Sequence, residues 1–358
     1  MTFPSHRDFI SGRARGPVAI LARGGLSLAS HFYSAAVRTR NRAFDLGVIR
    51  AHHASVPVVS VGNLTAGGTG KTPLVAAIID WFTSHGVRPA ILSRGYHPHT
   101  GAANDEKLVL DQLCPGVLHL QGADRVETAR VACDRHVAQV LVLDDGFQHR
   151  RLARDLDLVL IDAIDPWGAG HLLPRGLLRE PRSSLRRADA VILTRADQCS
   201  SGDKARLISE IREFCPDEVP IEAVFRPTGL VNSDGARAAI DSLGAVAAFC
   251  GIGNPDGFRQ TLIAAGVYRV AAFRTFPDHH HYSQTDLAEL AIWACEQRAT
   301  ALVTTQKDLV KIPRCQLGDL PLWALTIRAE FAVGQDRLAM LLQDLVTRIS
   351  APNLSKFQ

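Results

Sequence analysis

The sequence predicts an α/β protein that is built on a mainly parallel sheet flanked by helices. Between residues 56 and 197, short apolar runs alternate with stretches of helical periodicity, and the runs end in Asp, Gly, Ser or Thr. Such endings are typical of parallel strands, whose carboxyl ends gather ligands at one edge of the sheet. A chain of 358 residues with 46% hydrophobic residues can bury a large core and is long enough for two domains.

The first half of the chain contains predicted strands that alternate with predicted helices. The strands are short aliphatic runs, and the helices carry apolar residues at helical spacing. The strands are predicted in VPVVSVG (56–62), RPAILSRG (88–95), HVAQVLVLDDG (136–146), LDLVLIDA (156–163) and ADAVILTRAD (188–197), and the helices in KTPLVAAIIDWFTSHG (71–86) and SGDKARLISEIREFC (201–215).

A Pro-, Gly- and Asn-rich passage at residues 226–240 separates this half from a second alternating section, and its composition suits a hinge. We therefore predict a basic N-terminal segment (1–50), a first α/β domain (51–226) and a smaller C-terminal α/β domain that closes a cleft (227–358). The second section runs through AVAAFCGIGNPDGF (245–258), YRVAAFRTF (268–276), the helical SQTDLAELAIWACEQR (283–298) and TALVTTQKDLVKI (300–312).

The seven cysteines are scattered and form no C-x-x-C pair, which predicts neither a zinc site nor a disulfide framework. A reducing cytosol is the expected compartment. The sequence also has no uninterrupted apolar run long enough for a transmembrane helix and no secretory signal pattern at its N-terminus.

The N-terminal 50 residues are strongly basic, with eight arginines against Asp8 and Asp45. Apolar residues recur there at loosely helical spacing, as expected of a helix that lies on an anionic membrane surface. Two other interpretations are a helix that packs on the core with solvated arginines, and one that grips nucleic acid. The apolar residues are Val18, Leu21, Leu28, Phe32, Ala36 and Val37.

A glycine-rich turn joins the strand that ends at Val61 to the helix that begins near Lys71, and it reads GNLTAGGTGKTP (62–73). It nearly matches the phosphate-binding loop of P-loop NTPases, but Thr65 stands where the first glycine is expected. In such loops the lysine binds the β and γ phosphates and the following threonine binds Mg²⁺. We predict a P-loop NTPase-type fold whose ATP contacts are Gly67, Gly68, Thr69, Gly70, Lys71, Thr72 and Pro73.

Asp144 and Asp145 directly follow a predicted strand and are the candidate acidic residues of a metal site. Two successive carboxylates at a strand end indicate a metal or a basic partner, because a buried carboxylate without a cation is costly. Solvated loop aspartates or a helix cap are the alternatives.

Three further polar clusters are candidates for function. Residues 194–197 (TRAD) resemble a guanine-reading strip with arginine in place of lysine, but we expect Asp197 to cap the helix that begins near Gly202. Arg179 and Glu180 lie in a proline-bounded loop. In FPDHHHYS (276–283), the aspartate and histidines favour a carboxylate–histidine pair for proton handling over a metal site.

In this order, the motifs resemble those of the tetraacyldisaccharide 4'-kinase (lipid A 4'-kinase) family. They are VPVVSVGNLTAGGTGKTP, LSRGY, DE at 105–106, DDGFQHRRLARDLDLVLID, LLPRGLLREP, FCGIGNPDGF, FPDHHHY and VTTQKDLVKI. The missing first glycine is usual in that family. Asn104, Arg175 and Leu177 depart from the family pattern, which puts the shape of the acceptor-side loops in question.

The resemblance implies a kinase that transfers the γ-phosphoryl group of ATP, with Mg²⁺, to the 4'-hydroxyl of a lipid A disaccharide 1-phosphate precursor. It implies that Asp105 is the base and His279 its partner, with Lys71 and Asp144 also catalytic. Thr72, Asp145 and Glu180 are the implied metal ligands. The implied acceptor-side residues are Asn63, Arg94, Glu106, Gln148, His149 and Arg179.

A kinase of this kind would work as a peripheral protein at the cytoplasmic face of the inner membrane, without nucleic acid or a stable protein partner. The alternative from another class is a GTPase-like switch or metallochaperone, in which residues 194–197 read guanine and the histidines carry a metal. A basic nucleic-acid-binding ATPase is weaker, because the chain beyond residue 50 is slightly acidic and has no aromatic-basic stripe.

Overall fold

The computed structural model describes residues 16–95, 105–267 and 269–350, and these residues form one mixed sheet with helices on its faces. The strand order is β10-β9-β11-β13-β7-β6-β5-β1-β4-β2-β3, with β12 beside β13 and β8 beside β7. The strands are β1 (Val58–Asn63), β2 (Pro89–Ser93), β3 (Leu118–Gln121), β4 (Val140–Asp144), β5 (Leu156–Asp162), β6 (Ala190–Thr194), β7 (Ile221–Val231), β8 (Arg237–Ala238), β9 (Val246–Cys250), β10 (Val270–Thr275), β11 (Ala301–Thr305), β12 (Gln316–Leu317) and β13 (Leu320–Val333).

The helices lie between these strands in the alternation that the sequence predicts, and the predicted α/β class is confirmed. They are α1 (Pro17–Asp45), α2 (Lys71–Ser84), α3 (Asp105–Leu113), α4 (Arg125–His136), α5 (Ser201–Arg212), α6 (Pro255–Ala264), α7 (Gln284–Glu296), α8 (Gln306–Leu309) and α9 (Gln335–Ser350).

The six strands of the first half are all parallel, in the order β6-β5-β1-β4-β2-β3. The strands β1, β4, β5 and β6 are buried along their whole length, as expected where helices cover both faces. Their carboxyl ends therefore meet at one edge, and the register places Val61 beside Asp144.

Two long antiparallel strands, β7 and β13, join this half to the parallel strands of the second half. Residues 226–231, which we expected in a hinge, continue β7, and β8 pairs with it as an antiparallel neighbour. The passage is thus strand and turn where a hinge was expected. The predicted domain boundary near residue 227 falls inside β7 and stays a prediction.

Helix α1 packs on the body along one face only. Its buried residues Ala19, Ser30, Val37 and Asn41 recur at helical spacing, and the Ser30 hydroxyl donates to the Leu172 carbonyl at 2.9 Å. Val37, which we placed with the membrane-facing residues, is therefore part of the buried face, at 7% exposure. Within residues 16–95, 105–267 and 269–350, no helix combines the length and apolar character needed to cross a membrane.

The start of α5 differs from our expectation in one residue. The Ser200 hydroxyl accepts a hydrogen bond from the Asp203 amide at 3.1 Å and caps the helix. Asp197 lies in a preceding 3-10 turn, where its Oδ2 is 3.5 Å from Arg226 Nη1. The prediction that Asp197 caps this helix is wrong, because the chain needs one more short turn before α5 begins.

Candidate active site

The glycine-rich turn between β1 and α2, residues 62–73, leads directly into the helix N-terminus. Gly70 is the residue before α2 and has a φ of 83°, in the left-handed region that favours glycine. A Cβ on Gly70 would lie 2.1 Å from the Phe225 ring. Thr65 is not among the residues with positive φ, so its position requires no glycine.

Lys71 points back from α2 to the ends of β1 and β4. Its Nζ donates to Asn63 Oδ1 at 3.0 Å and lies 3.4 Å from Asp145 Oδ1. Arg179 Nη1 donates to Asp145 Oδ2 at 2.6 Å. Burial raises the pKa of Asp145, but the charges of Lys71 and Arg179 outweigh burial and lower this pKa to about 2. Asp145 is therefore an anion held between two cations.

Asp144 is the more deeply buried of the two acids. Burial raises its pKa to about 7, and the charges of Glu106 and Asp145 add to that rise against the opposing charge of Lys71. Because Glu106 is the second residue of α3, the effect of its charge on the pKa of Asp144 indicates that the start of α3 lies near Asp144.

Several buried polar atoms around the loop accept or donate no hydrogen bond among the described residues. A polar atom that is buried without a partner costs about 1–3 kcal/mol, and four such atoms around the loop indicate a site for a ligand. This observation fits ATP and Mg²⁺, which would bring phosphate oxygens and a cation to these atoms. They are Thr69 Oγ1, Asp144 Oδ1, Gln148 Oε1 and His149 Nε2.

No group of three or more His, Cys, Asp or Glu side chains is arranged to hold a metal in the parts of the chain that the structure covers. Mg²⁺ in kinases is commonly held by one or two protein oxygens together with substrate phosphates, so it does not need such a group. Thr72, in the first turn of α2, and Asp145 are the residues that would hold the ion.

Glu180 has a different environment from the one we predicted. It is completely buried, and its Oε1 accepts from Arg40 Nη2 at 2.6 Å. Its Oε2 accepts from Asn41 Nδ2 and Arg187 Nη2, both at 2.9 Å. Because Arg40 and Asn41 belong to α1, these contacts favour a role in anchoring α1 over the predicted metal role.

The Asp105–His279 pair is formed between α3 and the loop that follows β10. His279 Nδ1 lies 3.0 Å from Asp105 Oδ2, and the Glu106 amide donates to Asp105 Oδ1 at 3.0 Å. Burial raises the pKa of Asp105, but the hydrogen bond to His279 and the nearby lysine charges hold it below its usual value. His280 instead lies 3.2 Å from Asp286, so His279 is the histidine that pairs with Asp105.

The remaining predicted acceptor-side residues lie around the same edge of the sheet. Gln148 Nε2 donates to the Asn63 carbonyl at 2.9 Å. Burial and the charge of Arg125 lower the pKa of His149 to about 4, which keeps its ring neutral. Arg94 is exposed at the end of β2. Asn104 lies outside the described residues.

The loop that contains two of the departures from the family pattern packs against the glycine-rich turn. The Leu177 carbonyl accepts from the Ala66 amide at 2.6 Å, and Leu178 bridges to Thr65. Arg175 lies in the same loop.

Two lysines beside the Asp105–His279 pair received no role from the sequence. Lys307 Nζ lies 3.3 Å from His279 Nε2, and Lys311 Nζ lies 3.1 Å from Asp308 Oδ1 and 3.8 Å from Asp105 Oδ2. They stand four residues apart in VTTQKDLVKI, a motif that the sequence singled out, and Lys311 lies in the turn after α8. Arg125, 3% exposed, was missed as well, and no pattern in the sequence marks it.

The left-handed glycine turn, the lysine at the helix N-terminus and the acids at the end of β4 define a nucleotide-binding phosphotransferase of the P-loop class. Comparison with known proteins gives the family. A family model described as Tetraacyldisaccharide-1-P 4'-kinase matches residues 23–347, and the chain belongs to that family.

Curated relatives and a solved structure agree with this assignment. A tetraacyldisaccharide 4'-kinase of Anaeromyxobacter sp. (strain K) is 42% identical over 318 residues, which cover 83% of each chain. One of Anaeromyxobacter sp. (strain Fw109-5) is 39% identical over 358 residues, which cover 94% of each. The structure of LpxK from Aquifex aeolicus, described as an "apo" form in complex with ATP, superposes with a TM-score of 0.71 at 32% identity, covering 92% of this chain and 99% of that one.

Proposed function

We infer that the chain is an ATP-dependent kinase that phosphorylates the 4'-hydroxyl of a lipid A disaccharide 1-phosphate precursor. The observation that carries this function is the Asp105–His279 pair, which lies near the acids of a phosphate loop in a member of the 4'-kinase family. The solved relative in complex with ATP supports ATP as the donor.

The residues of the loop bind and orient the phosphoryl donor. Lys71, whose Nζ donates to Asn63 Oδ1, and the N-terminus of α2 would bind the phosphates, and Thr72 with Asp145 would hold Mg²⁺. When bound, Mg²⁺ neutralises charge on the transferring group. Arg179 fixes the Asp145 carboxylate through a 2.6 Å hydrogen bond.

Asp105 is the proposed base on the acceptor side. As the sugar oxygen bonds to the γ-phosphorus, its O–H proton passes to Asp105, and the bond between that phosphorus and the ADP oxygen breaks. The Glu106 amide and His279 hold the two carboxylate oxygens, so the base is oriented before the acceptor binds. The low pKa of Asp105 keeps it ionised at neutral pH.

The GTPase-like alternative has less support. In the strip at residues 194–197, Arg195 Nη2 donates to the Gly68 carbonyl at 2.9 Å, and Arg195 Nη1 binds Asp162. Asp197 faces Arg226. Membership of the 4'-kinase family favours the kinase. Selective use of GTP without lipid-dependent turnover would support the alternative.

The catalytic roles are tested with γ-labelled ATP and the acceptor in detergent micelles. We expect Asp105→Asn to lower kcat by about 10²- to 10⁴-fold, the range for loss of a general base, in a variant that circular dichroism shows to be folded. Lys71→Met should abolish transfer. Lys204→Gln, which removes the ion pair with Glu222, is the control. A folded Asp105→Asn variant with near-normal kcat would remove Asp105 from the base role.

We propose that α1 binds the cytoplasmic face of the inner membrane. Val18, Leu21, Leu28 and Phe32 are 63–76% exposed, and helical spacing places them on the side opposite the buried face. The exposed residues Leu46 and Val48 follow at the end of α1. Arg38 and Arg42 on α1 are exposed, as is Arg50 after it. Their positive charges would attract anionic lipid.

Flotation with anionic liposomes tests the membrane contact. The variant with both Leu21→Glu and Phe32→Glu should lose flotation at low salt. The control is Met340→Glu, at an apolar residue of α9 that is 68% exposed. Flotation of the double variant at the wild-type level would contradict the assignment of this face.

We also propose that the second half of the chain closes over the first. The Asp105–His279 contact and the pair between Lys307 and Glu106, at 3.7 Å, connect the two halves across the site. Because His279 and Lys307 lie beyond residue 227, closure would complete the site. Small-angle scattering should show a smaller radius of gyration with an ATP analogue and acceptor, and an unchanged radius would argue against closure.

A further inference from the structure

Lys307 lies on the side of His279 that faces away from Asp105. Its Nζ is 3.3 Å from His279 Nε2, while Asp105 Oδ2 is 3.0 Å from His279 Nδ1. The lysine belongs to the short helix α8, and its side chain is 25% exposed. The imidazole is thus placed between a carboxylate and an ammonium group.

The two neighbours determine which ring nitrogen carries the proton. An ammonium group only donates hydrogen bonds, so His279 Nε2 must accept from Lys307. An ionised carboxylate only accepts, so Nδ1 must donate to Asp105. This arrangement suits a neutral ring, because an imidazolium would direct a second positive N–H at the lysine.

We propose that Lys307 is a positioning residue that opposes protonation of His279 at Nε2 and so favours the neutral, Nδ1-protonated ring that donates to the Asp105 carboxylate. The inference rests on the proposed role of Asp105 as the base. A neutral ring leaves the full negative charge of Asp105 available to the sugar hydroxyl, whereas an imidazolium would make that carboxylate a weaker base.

The charges around His279 act in both directions. The hydrogen bond to Asp105 raises the pKa of His279 above its usual value, and burial and the charge of Lys307 oppose only part of that rise. Removal of the lysine charge should therefore raise the pKa of His279 further. The charged groups that face this pair are Asp105 and Glu106 on α3, Asp278 beside the histidine, Lys307 on α8 and Lys311 after it.

The proposal is tested by NMR of the full chain labelled with ¹⁵N-histidine, with the His279 signal assigned by its loss in His279→Gln. Above its pKa, His279 should show the Nδ1-protonated tautomer. In Lys307→Gln its pKa should rise by about half a pH unit, as expected for loss of one partly exposed charge. Lys307→Arg, which keeps the charge, should stay near the wild type. An Nε2-protonated ring in the wild type, or an unmoved pKa in Lys307→Gln, would overturn the proposal.

The pH dependence of kcat separates positioning from a structural role. In Lys307→Gln the acidic limb should move to higher pH by the same shift, with the KM for ATP unchanged. Lys204→Gln, at a lysine of similar exposure in another ion pair, should leave the limb in place. A lower kcat with an unmoved limb would contradict the proposal. The two proposals can fail separately. Normal kcat in Asp105→Asn would refute the role of Asp105 as the base, whereas the rise in the His279 pKa in Lys307→Gln would still be expected.

Discussion

Gly70→Ala should be costly for two separable reasons. With a φ of 83°, an L-residue there is in the left-handed region, which costs about 1–2 kcal/mol. Its Cβ would also lie 2.1 Å from Phe225 Cζ, and overpacking of this kind costs about 1–3 kcal/mol. The sum is a loss of about 2–5 kcal/mol in the free energy of unfolding.

Gly116 is a matched control for the backbone contribution. Its φ is 79°, and a Cβ there would have no atom within 4 Å. Gly116→Ala should therefore cost only the conformational part, about 1–2 kcal/mol. The difference between the two alanine variants estimates the clash with the Phe225 ring.

Urea denaturation of a double-mutant cycle with Phe225→Ala isolates that clash. In the Phe225→Ala background, Gly70→Ala should cost about as much as Gly116→Ala, because the ring is gone. Equal losses for Gly70→Ala and Gly116→Ala in the otherwise wild-type chain would refute the close approach of β7 to the phosphate loop.

Three further expectations concern other parts of the site. Glu180→Gln should destabilise the protein by about 1–3 kcal/mol in urea denaturation, because it removes the buried carboxylate charge that pairs with Arg40 and Arg187, and should speed proteolysis of α1; unchanged values would contradict the anchoring role. His149 is neutral in the folded protein because burial lowers its pKa to about 4, so the stability present above about pH 6.5 is lost as the pH falls towards 4. Thermal melts of His149→Gln should show a smaller loss of stability over this range, and an equal loss would refute the role of His149. Asp145→Asn should raise the Mg²⁺ concentration needed for half-maximal kcat at least about tenfold, and an unchanged requirement would remove Asp145 from the metal site.

The parallel sheet of the first half could be predicted because each buried strand is a continuous apolar run. Strands β2, β4, β5 and β6 fall within their predicted segments, and β1 extends one residue beyond its segment, to Asn63. The strand β3 was missed because it is a short edge strand, LHLQ, with no fully buried residue. Edge strands of this kind carry little periodic signal.

The long β7–β13 pair was missed for a different reason. Pro227 and Gly229 indicate a turn when they are considered locally, yet both pair with β13. The register shifts between Thr326 and Ile327, opposite the residues next to Pro227, and such an irregularity is where a strand tolerates proline. Only the pairing with a strand about a hundred residues away reveals the sheet.

The phosphate loop could be predicted because its residues are contiguous in sequence. The surroundings of Asp105 could not, because Lys307 and Lys311 lie about two hundred residues further along the chain. The anchoring of α1 through Glu180 was missed for the same reason, since Arg40 and Glu180 meet only in the folded protein.

The transfer of labelled γ-phosphate to the acceptor and to its 4'-deoxy analogue tests the central claim most directly. With ATP and Mg²⁺, the wild-type protein should label the lipid A disaccharide 1-phosphate acceptor and leave the 4'-deoxy analogue unlabelled. Label in the analogue, or no label in the acceptor from a folded protein that binds ATP, would contradict the account.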